Sequence, residues 1–274
     1  MLPAPAPTPS PAQPSVHYMP FIDADAALRV RHIGPEDLVA ALRAGVADFR
    51  AHPSQLFFLM LIYPLVGLFL ARLAFNHDVL PLLYPLVAGF AFLGPIAAVG
   101  LYEVSRRREA GLPHGLRYAL EVRHAPTFGA IAMIGFVLMV IFLVWLVAAM
   151  GVYRWTYGAY VPHTLASFLS DVTSTRHGLK LVIAGNAVGL LFGLLAMAVS
   201  VVSLPLLVDR PVTLACALRT SFRAVAVNFW TMLLWGMIVA AALAAGSLPF
   251  FIGLAVVLPI LGHATWHLYR RLVP

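Results

Sequence analysis

Long apolar runs separated by short charged segments set the pattern of this chain. Six runs, at 56–75, 79–104, 128–150, 179–207, 228–246 and 248–268, are apolar over roughly the 20 residues a helix needs to cross about 30 Å of hydrocarbon. Backbone polar groups in lipid have no water to bond, so each run is expected to be a helix. Little more than Gly246-Ser247 separates the last two, which demands a tight hairpin. Prolines within the runs (Pro64, Pro85, Pro95, Pro205 and Pro259) predict kinks. The expected fold class is all-α, a polytopic membrane protein with six transmembrane helices.

The segments between the runs repeat. Pro35-x-x-Leu38-x-x-Ala41-Leu42 recurs as Pro113-x-x-Leu116-x-x-Ala119-Leu120 and as Pro211-x-x-Leu214-x-x-Ala217-Leu218. Proline suits the first turn of a helix, where its missing N–H leaves no bond unmade. Apolar residues continue at helical spacing as Leu38, Leu42, Val46 and Phe49, and as Leu214, Leu218, Phe222 and Val225. The opposite faces carry Arg43, Asp48 and Arg50, and Arg219, Thr220 and Arg223. Amphipathic helices at the membrane surface are expected at all three places. In the second, His124 and Thr127 interrupt the apolar stripe.

The even-numbered runs echo one another as well. Pro95-Ile96, Tyr102 and Arg106-Arg107 match Pro259-Ile260, Trp266 and Arg270-Arg271 at identical spacing. The expected unit is an interfacial helix followed by a transmembrane hairpin, present as three pseudo-repeats. Parallel repeats of this kind are related by an axis along the membrane normal.

Composition agrees with the pattern. The chain is 61% hydrophobic and 11% charged, against roughly 25% charged in soluble domains. Its net charge of +7 sits in short loops beside the apolar runs, a placement that suits anionic headgroups and argues against nucleic acid. Fourteen basic residues fall on one side: Arg29, Arg31, Arg43, Arg50, Arg106, Arg107, Arg108, Arg117, Arg123, Arg210, Arg219, Arg223, Arg270 and Arg271. Four fall on the other: Arg72, Arg154, Arg176 and Lys180. The richer side is expected to be cytoplasmic, with both termini. Tyr153, Trp155, Tyr157 and Tyr160 in the outer loop 151–178 suit the headgroup layer. Residues 1–30 read as a disordered Pro/Ala-rich cytoplasmic tail, with seven prolines in the first twenty positions and neither the basic nor the apolar region of a signal peptide. Residues 31–274 form the expected transmembrane domain.

Few side chains suggest chemistry. His263 and His267 share a helix face at i, i+4 and are the only candidates for holding a cofactor, though beside Trp266 and Arg270 they read better as interfacial anchors. Glu103 is placed to pair with Arg106 and Arg107 one turn on. Gly185, Asn186, Gly189 and Gly193 form a row that invites close helix packing, with Asn186 bonding between helices. Arg106, Arg107, Arg108, Arg219, Arg223, Arg270 and Arg271 make up a basic cytoplasmic face. The single cysteine, Cys216, reads as a small packed residue. No Walker-type loop, nucleophile elbow or HExxH motif occurs in the sequence, and no catalytic residue, metal or cofactor is expected.

The run 32–38 (His-Ile-Gly-Pro-Glu-Asp-Leu), then Ala41-Leu42-Arg43-Ala44-Gly45 and Asp48-Phe49, resembles a bacterial membrane family. So do the runs 84–90 and 93–95, and then 100–107 (Gly-Leu-Tyr-Glu-Val-Ser-Arg-Arg). The chain resembles the domain-of-unknown-function family 2189 over most of its length from about residue 30. The resemblance implies a multi-pass protein of the bacterial inner membrane. Some members carry a cytochrome c oxidase subunit I label. That label needs several intramembrane histidines for its haems and copper, whereas only His263 and His267 of ten histidines lie within a run. The expected function is non-enzymatic, as an accessory, assembly or scaffolding component, in association with a respiratory oxidase if the label is followed. A small-solute transporter or channel is the alternative. The expected partners are the lipid bilayer and a membrane protein or second copy of the chain.

Reporter fusions after Pro274 and within 151–178 test the topology. The carboxyl-terminal fusion is expected to report cytoplasm and the loop fusion periplasm; a periplasmic signal from the carboxyl terminus overturns the arrangement.

Overall fold

The computed structural model describes residues 28–51, 85, 94–158, 165–248 and 252–274. The first expected span, 56–75, lies outside the described residues. So do the beginning of the second span apart from Pro85, the tail to residue 27, Arg72, Tyr160 and the hairpin residues 249–251. Among the described residues the chain is 84% helix with no strand. Three stretches are long and apolar enough to cross a bilayer: Phe128–Tyr157, Arg176–Asp209 and Phe229–Ser247.

Helix α1 (Pro35–Ala51) starts where the first repeat proline predicts it. The Asp37 carboxylate reaches back 3.0 Å to accept from the Gly34 N–H, one of the donors a helix start leaves unmatched. Helix α2 (Val99–Glu109) is the end of the second expected span. A short helix, α3 (Leu116–Ala119), then runs into a 3-10 turn over Leu120–His124, so the degenerate second copy is helical but brief. Helix α4 (Phe128–Tyr157) is apolar all round and ends at Gly158, whose φ of +63° turns the chain out of the helix. Helix α5 (Leu165–Ser174) leads to α6 (Arg176–Ser200), whose Thr175 cap accepts from the Gly178 N–H.

The fourth expected span is broken. It stops at Ser200 and resumes as α7 (Ser203–Asp209). Pro205 has no N–H to give the Val201 carbonyl, and beside the break Ser203 Oγ donates to the Val199 carbonyl. Helix α8 (Leu214–Val227) follows the third repeat proline and is capped by Thr213. Helices α9 (Phe229–Ser247) and α10 (Leu254–Leu272) form the last hairpin. Gly246 and Gly253 face each other across it, and a Cβ on Gly253 would fall 2.8 Å from the Gly246 backbone. Helix α10 carries His263, His267, Arg270 and Arg271 and is not one of the three bilayer-length apolar helices.

Packing has a regular scheme. Helix α1 lies along α10, α3 and its 3-10 turn lie on α2, and α8 lies on α6 and α7. The ends of α2, α7 and α10 meet one another, burying Tyr102, Leu204, Leu206, Leu207, Trp266 and Tyr269. Helices α4 and α6 run antiparallel beside this centre. Thr127 Oγ1 donates to the Leu207 carbonyl at one end, and His177 Nδ1 meets the Thr156 carbonyl at the other. The outer faces of α4, α6 and α9 expose large apolar residues, among them Phe136, Val147, Ile183, Leu191 and Trp230. Water would leave that surface unsatisfied; lipid does not.

The buried faces of α1 and α8 differ from expectation. In α1 the core side is Leu38, Ala41, Gly45 and Asp48, while Leu42, Val46 and Phe49 are only half-buried. In α8 it includes Cys216, Ala217, Thr220, Ser221 and Ala224, with Phe222 exposed. The helices are turned so that small residues, together with Leu38 of the first stripe and Val225 of the second, meet their neighbours. Small residues let backbones approach closely. A Cβ on Gly45 would lie 2.6 Å from the Ala264 nitrogen and 2.8 Å from the Ile260 carbonyl oxygen.

Two substitutions test this packing. Gly45→Val is expected to destabilise the protein by about 1–3 kcal/mol, because it meets α10 backbone that cannot move aside. Gly189→Leu, where a Cβ already lies 3.2 Å from the Trp145 ring, is expected to lower the melting temperature in detergent more than Leu190→Ala at a side chain 51% exposed. Equal melting temperatures for the latter two variants would count against the close approach of α4 and α6.

Candidate functional site: a buried polar junction

The small-residue seat of α1 brings Asp48 into the protein. Its side chain is 7% exposed and stands among groups from two other helices. Ser105 Oγ on α2 donates to Oδ2 at 2.5 Å, and Arg108, also on α2, donates to Oδ1. From α10, His267 Nε2 lies 3.0 Å from Oδ2 and His263 Nδ1 lies 3.8 Å from it. His263 Nδ1 also meets Ser105 Oγ at 2.7 Å. Helical geometry supplies the set, since residues 105 and 108 share one face of α2 and residues 263 and 267 one face of α10.

The direction of the hydrogen bonds limits the chemistry. A serine hydroxyl has one proton. With that proton given to Asp48, Ser105 accepts from His263 Nδ1–H. The serine therefore sits between imidazole and carboxylate and is not activated by the imidazole as a nucleophile would be. Among the described residues no group of three or more His, Cys, Asp or Glu side chains is disposed to hold a metal ion. At Asp48 a guanidinium already supplies the positive charge. Burial by itself pushes the Asp48 carboxyl up. Hydrogen bonds from His267 and Ser105, with the charges of both imidazoles, outweigh burial and hold it down at about 2.

Neighbouring ties follow the same rule. Arg271 on α10 donates to Asp37 on α1 at 2.7 Å. Arg270 bridges Glu109 on α2 and Asp209 on α7, at 3.0 and 3.5 Å. Trp266 Nε1 donates to Glu109 and Tyr269 Oη to Asp209. Asn228 receives the Ile33 N–H and donates to the Arg31 carbonyl, while the Arg31 N–H bonds the Leu272 carbonyl. The residues ahead of α1 are thus bound to the end of α10 and to the start of α9.

The expected site residues fall out as follows. His263 is 1% exposed and His267 is partly exposed at 24%. The first is a buried junction residue rather than an interfacial anchor. Of the basic face, Arg106 and Arg107 pair with Glu103 as its spacing predicts. Arg108, Arg270 and Arg271 tie separate helices, and Arg219 and Arg223 lie on the exposed side of α8. In the glycine row, Gly189 faces Trp145. Gly185, Asn186 and Gly193 line a cavity of about 480 Å3 between α2, α6, α9 and α10, where Asn186 is exposed and its Nδ2 donates to the Val182 carbonyl of its own helix. Asp48 is corrected outright: it belongs to the buried face of α1, not the solvent face. Ser105 carries no signal in the sequence beyond lying three residues before Arg108. For Asp48 the signal was its spacing from Ala41 and Gly45.

Residues 83–209 match the model of a family described as "Predicted integral membrane protein (DUF2189)". Together with the bilayer-length helices this makes the chain an integral membrane protein with multiple candidate spans. No curated protein and no solved structure matches the chain.

The junction has a pH signature. An unfolded aspartate titrates near 3.9, whereas folded Asp48 is held at about 2. A depressed carboxyl stabilises the fold above the unfolded value and loses that contribution as pH falls through the folded one. The melting temperature in detergent is expected to fall between about pH 4 and pH 2, and Asp48→Asn to remove part of that fall. The same variant is expected to lose about 2 kcal/mol at neutral pH, since it breaks hydrogen bonds to a buried charge. An unchanged acid profile in Asp48→Asn would place the acid sensitivity elsewhere.

Proposed function

We propose that this protein spans the bacterial inner membrane six times with both termini in the cytoplasm, and that it acts there as a non-enzymatic accessory, assembly or scaffolding component. The observation that carries the scaffolding reading is the use of its carboxylates. Buried Asp37 and Asp48, half-buried Asp209 and exposed Glu109 are each bonded to a cation from another helix, and buried Glu103 to Arg106 and Arg107 of its own helix. A site that moves protons or ions needs a carboxylate released from such a tie.

The three-repeat arrangement deepens this reading. Each interfacial helix packs on the end of an even-numbered span from the preceding unit: α3 on α2, α8 on α6 and α7, and α1 on α10. That order closes into a ring of three, as a pseudo-three-fold axis along the membrane normal requires. Residues 28–34 complete the ring by joining the first unit to the last. The exposed arginines of α1 and α8, Arg43, Arg50, Arg219 and Arg223, support a basic docking face for a membrane protein partner.

The transporter reading draws on the 480 Å3 cavity. Its walls are mostly apolar, among them Trp145, Met197, Trp235, Leu243 and Leu258, with Tyr102, Asn186, Ser200 and Thr265 as polar members and no charged side chain among the described residues.

Deleting the gene distinguishes the two readings. For a scaffold, the amount of at least one assembled membrane complex, read on native gels and with a respiratory oxidase examined first, is expected to fall severalfold and to recover with the wild-type gene. Unchanged complexes, combined with solute flux in liposomes containing the purified protein, would establish transport instead.

A further inference from the structure

We propose that the outward face of α8 and the start of α9 bind the headgroup of an anionic phospholipid, with Arg219 and Arg223 on its phosphate and Phe222, Val227, Phe229 and Trp230 against its acyl chains.

Helix α8 runs directly into α9, the least buried of the three bilayer-length helices. The corner between them is fixed from inside. There Asn228 bonds the backbone of Arg31 and Ile33, and Thr231 Oγ1 donates to the Ile33 carbonyl. Away from that contact α8 exposes Ala215, Arg219, Phe222, Arg223, Ala226 and Val227, which recur at helical spacing. The exposed surface continues into α9 with Phe229 and Trp230, whose rings meet edge to face at 5.2 Å, and Trp230 is 77% exposed. Aromatic rings at the end of an apolar helix sit at the level of the headgroups.

The arginines suit what lies at that level. Arg219 and Arg223 are one turn apart on one face, so two guanidinium groups can converge on a single phosphate, which each binds through paired N–H groups. Their stems lie along apolar surface while the charges reach outward. That apolar bed selects a lipid over free phosphate. Charge selects an anionic lipid, since a zwitterionic headgroup brings a cation of its own to a positive face. Helix α8 has no acidic residue, and residues 210–274 contain no Asp or Glu. Asp209, the nearest acid before them, is bonded to Arg210, Tyr269 and Arg270. Helix α1 makes the contrast. It exposes Glu36 beside Arg43 and Arg50, and Val39 is its one exposed large apolar side chain. Its arginines have no bed for acyl chains and stay open to a protein partner, so the lipid site does not depend on the scaffolding reading.

Titration of the full-length protein in neutral detergent with phosphatidylglycerol, or with phosphatidylcholine of the same chains, tests the site, with bound lipid counted by native mass spectrometry. The wild type is expected to bind phosphatidylglycerol more tightly, and added salt to weaken that binding. Arg219→Gln with Arg223→Gln is expected to lower its affinity for phosphatidylglycerol about thirtyfold, which is about 1 kcal/mol for each arginine at 1.36 kcal/mol per tenfold. Phosphatidylcholine binding should not change. Arg43→Gln with Arg50→Gln is expected to keep the wild-type preference. Hydrogen exchange of the wild type, which needs no variant to fold, is expected to slow over residues 215–230 with phosphatidylglycerol and not with phosphatidylcholine. Equal affinity of the wild type for the two lipids overturns the site, as does a preference that survives in the α8 variant or exchange that does not slow over 215–230. An α8 variant that keeps its lipid preference but loses a copurifying acidic protein would assign the face to a protein instead.

Discussion

Carboxylates at the basic end of this protein, Asp37 and Asp48 buried and Asp209 half-buried, must each find a cation or donor, and α10 supplies one to each. Arg271 holds α1, Arg270 holds α2 and α7 together, and His263 and His267 face Asp48. A charge away from water is tolerated only when paired and hydrogen-bonded. Because the partners come from different helices, satisfying the charges fixes how α1, α2, α7 and α10 sit. The apolar spans outward of this junction have no comparable means of choosing a unique arrangement, since lipid and neighbouring helices are equally apolar.

Close approach is what makes the charge pairing feasible. Gly45 and Ala41 let α1 settle on α10 with Asp48 inside. In the third repeat copy, Ala217, Ser221 and Ala224 occupy the positions of Ala41, Gly45 and Asp48, and all three are buried. The seat recurs, but there Ala224 stands in place of the carboxylate. Ser221 bonds the Val202 N–H at the break between α6 and α7 instead. One packing device thus serves two ends: in the first copy it encloses an ionisable junction, and in the third it satisfies a backbone group freed near Pro205.

The basic face also looks different once its partners are visible. Arginines concentrated at one end of a membrane protein suggest headgroup contacts. Here Arg106, Arg107, Arg108, Arg270 and Arg271 turn toward carboxylates of the chain itself. The outward cations are those of the interfacial helices. An exposed basic surface and a clasp for the fold are therefore drawn from one cluster of residue types, separated by which helix face each occupies.

Although Pro113 and Pro211 stand three residues ahead of their helices, the sequence by itself determined the membrane class, the helical spans at 128–150 and 228–246, the helix start at Pro35 and the Glu103 pairing. All of these follow from local periodicity and composition, because a helix in lipid must satisfy its own backbone and i, i+4 neighbours must meet. Only the tertiary structure decided which face of each interfacial helix is buried. A leucine stripe predicts burial when area dominates, but helix approach here is governed by small residues, which leave no hydrophobic signature. Tertiary structure likewise decided that Asp48 meets residues 57 and 219 positions away, Ser105 and His267. No periodicity within one helix can specify a contact made by three, so the junction existed in the sequence only as scattered polar residues until the fold assembled it.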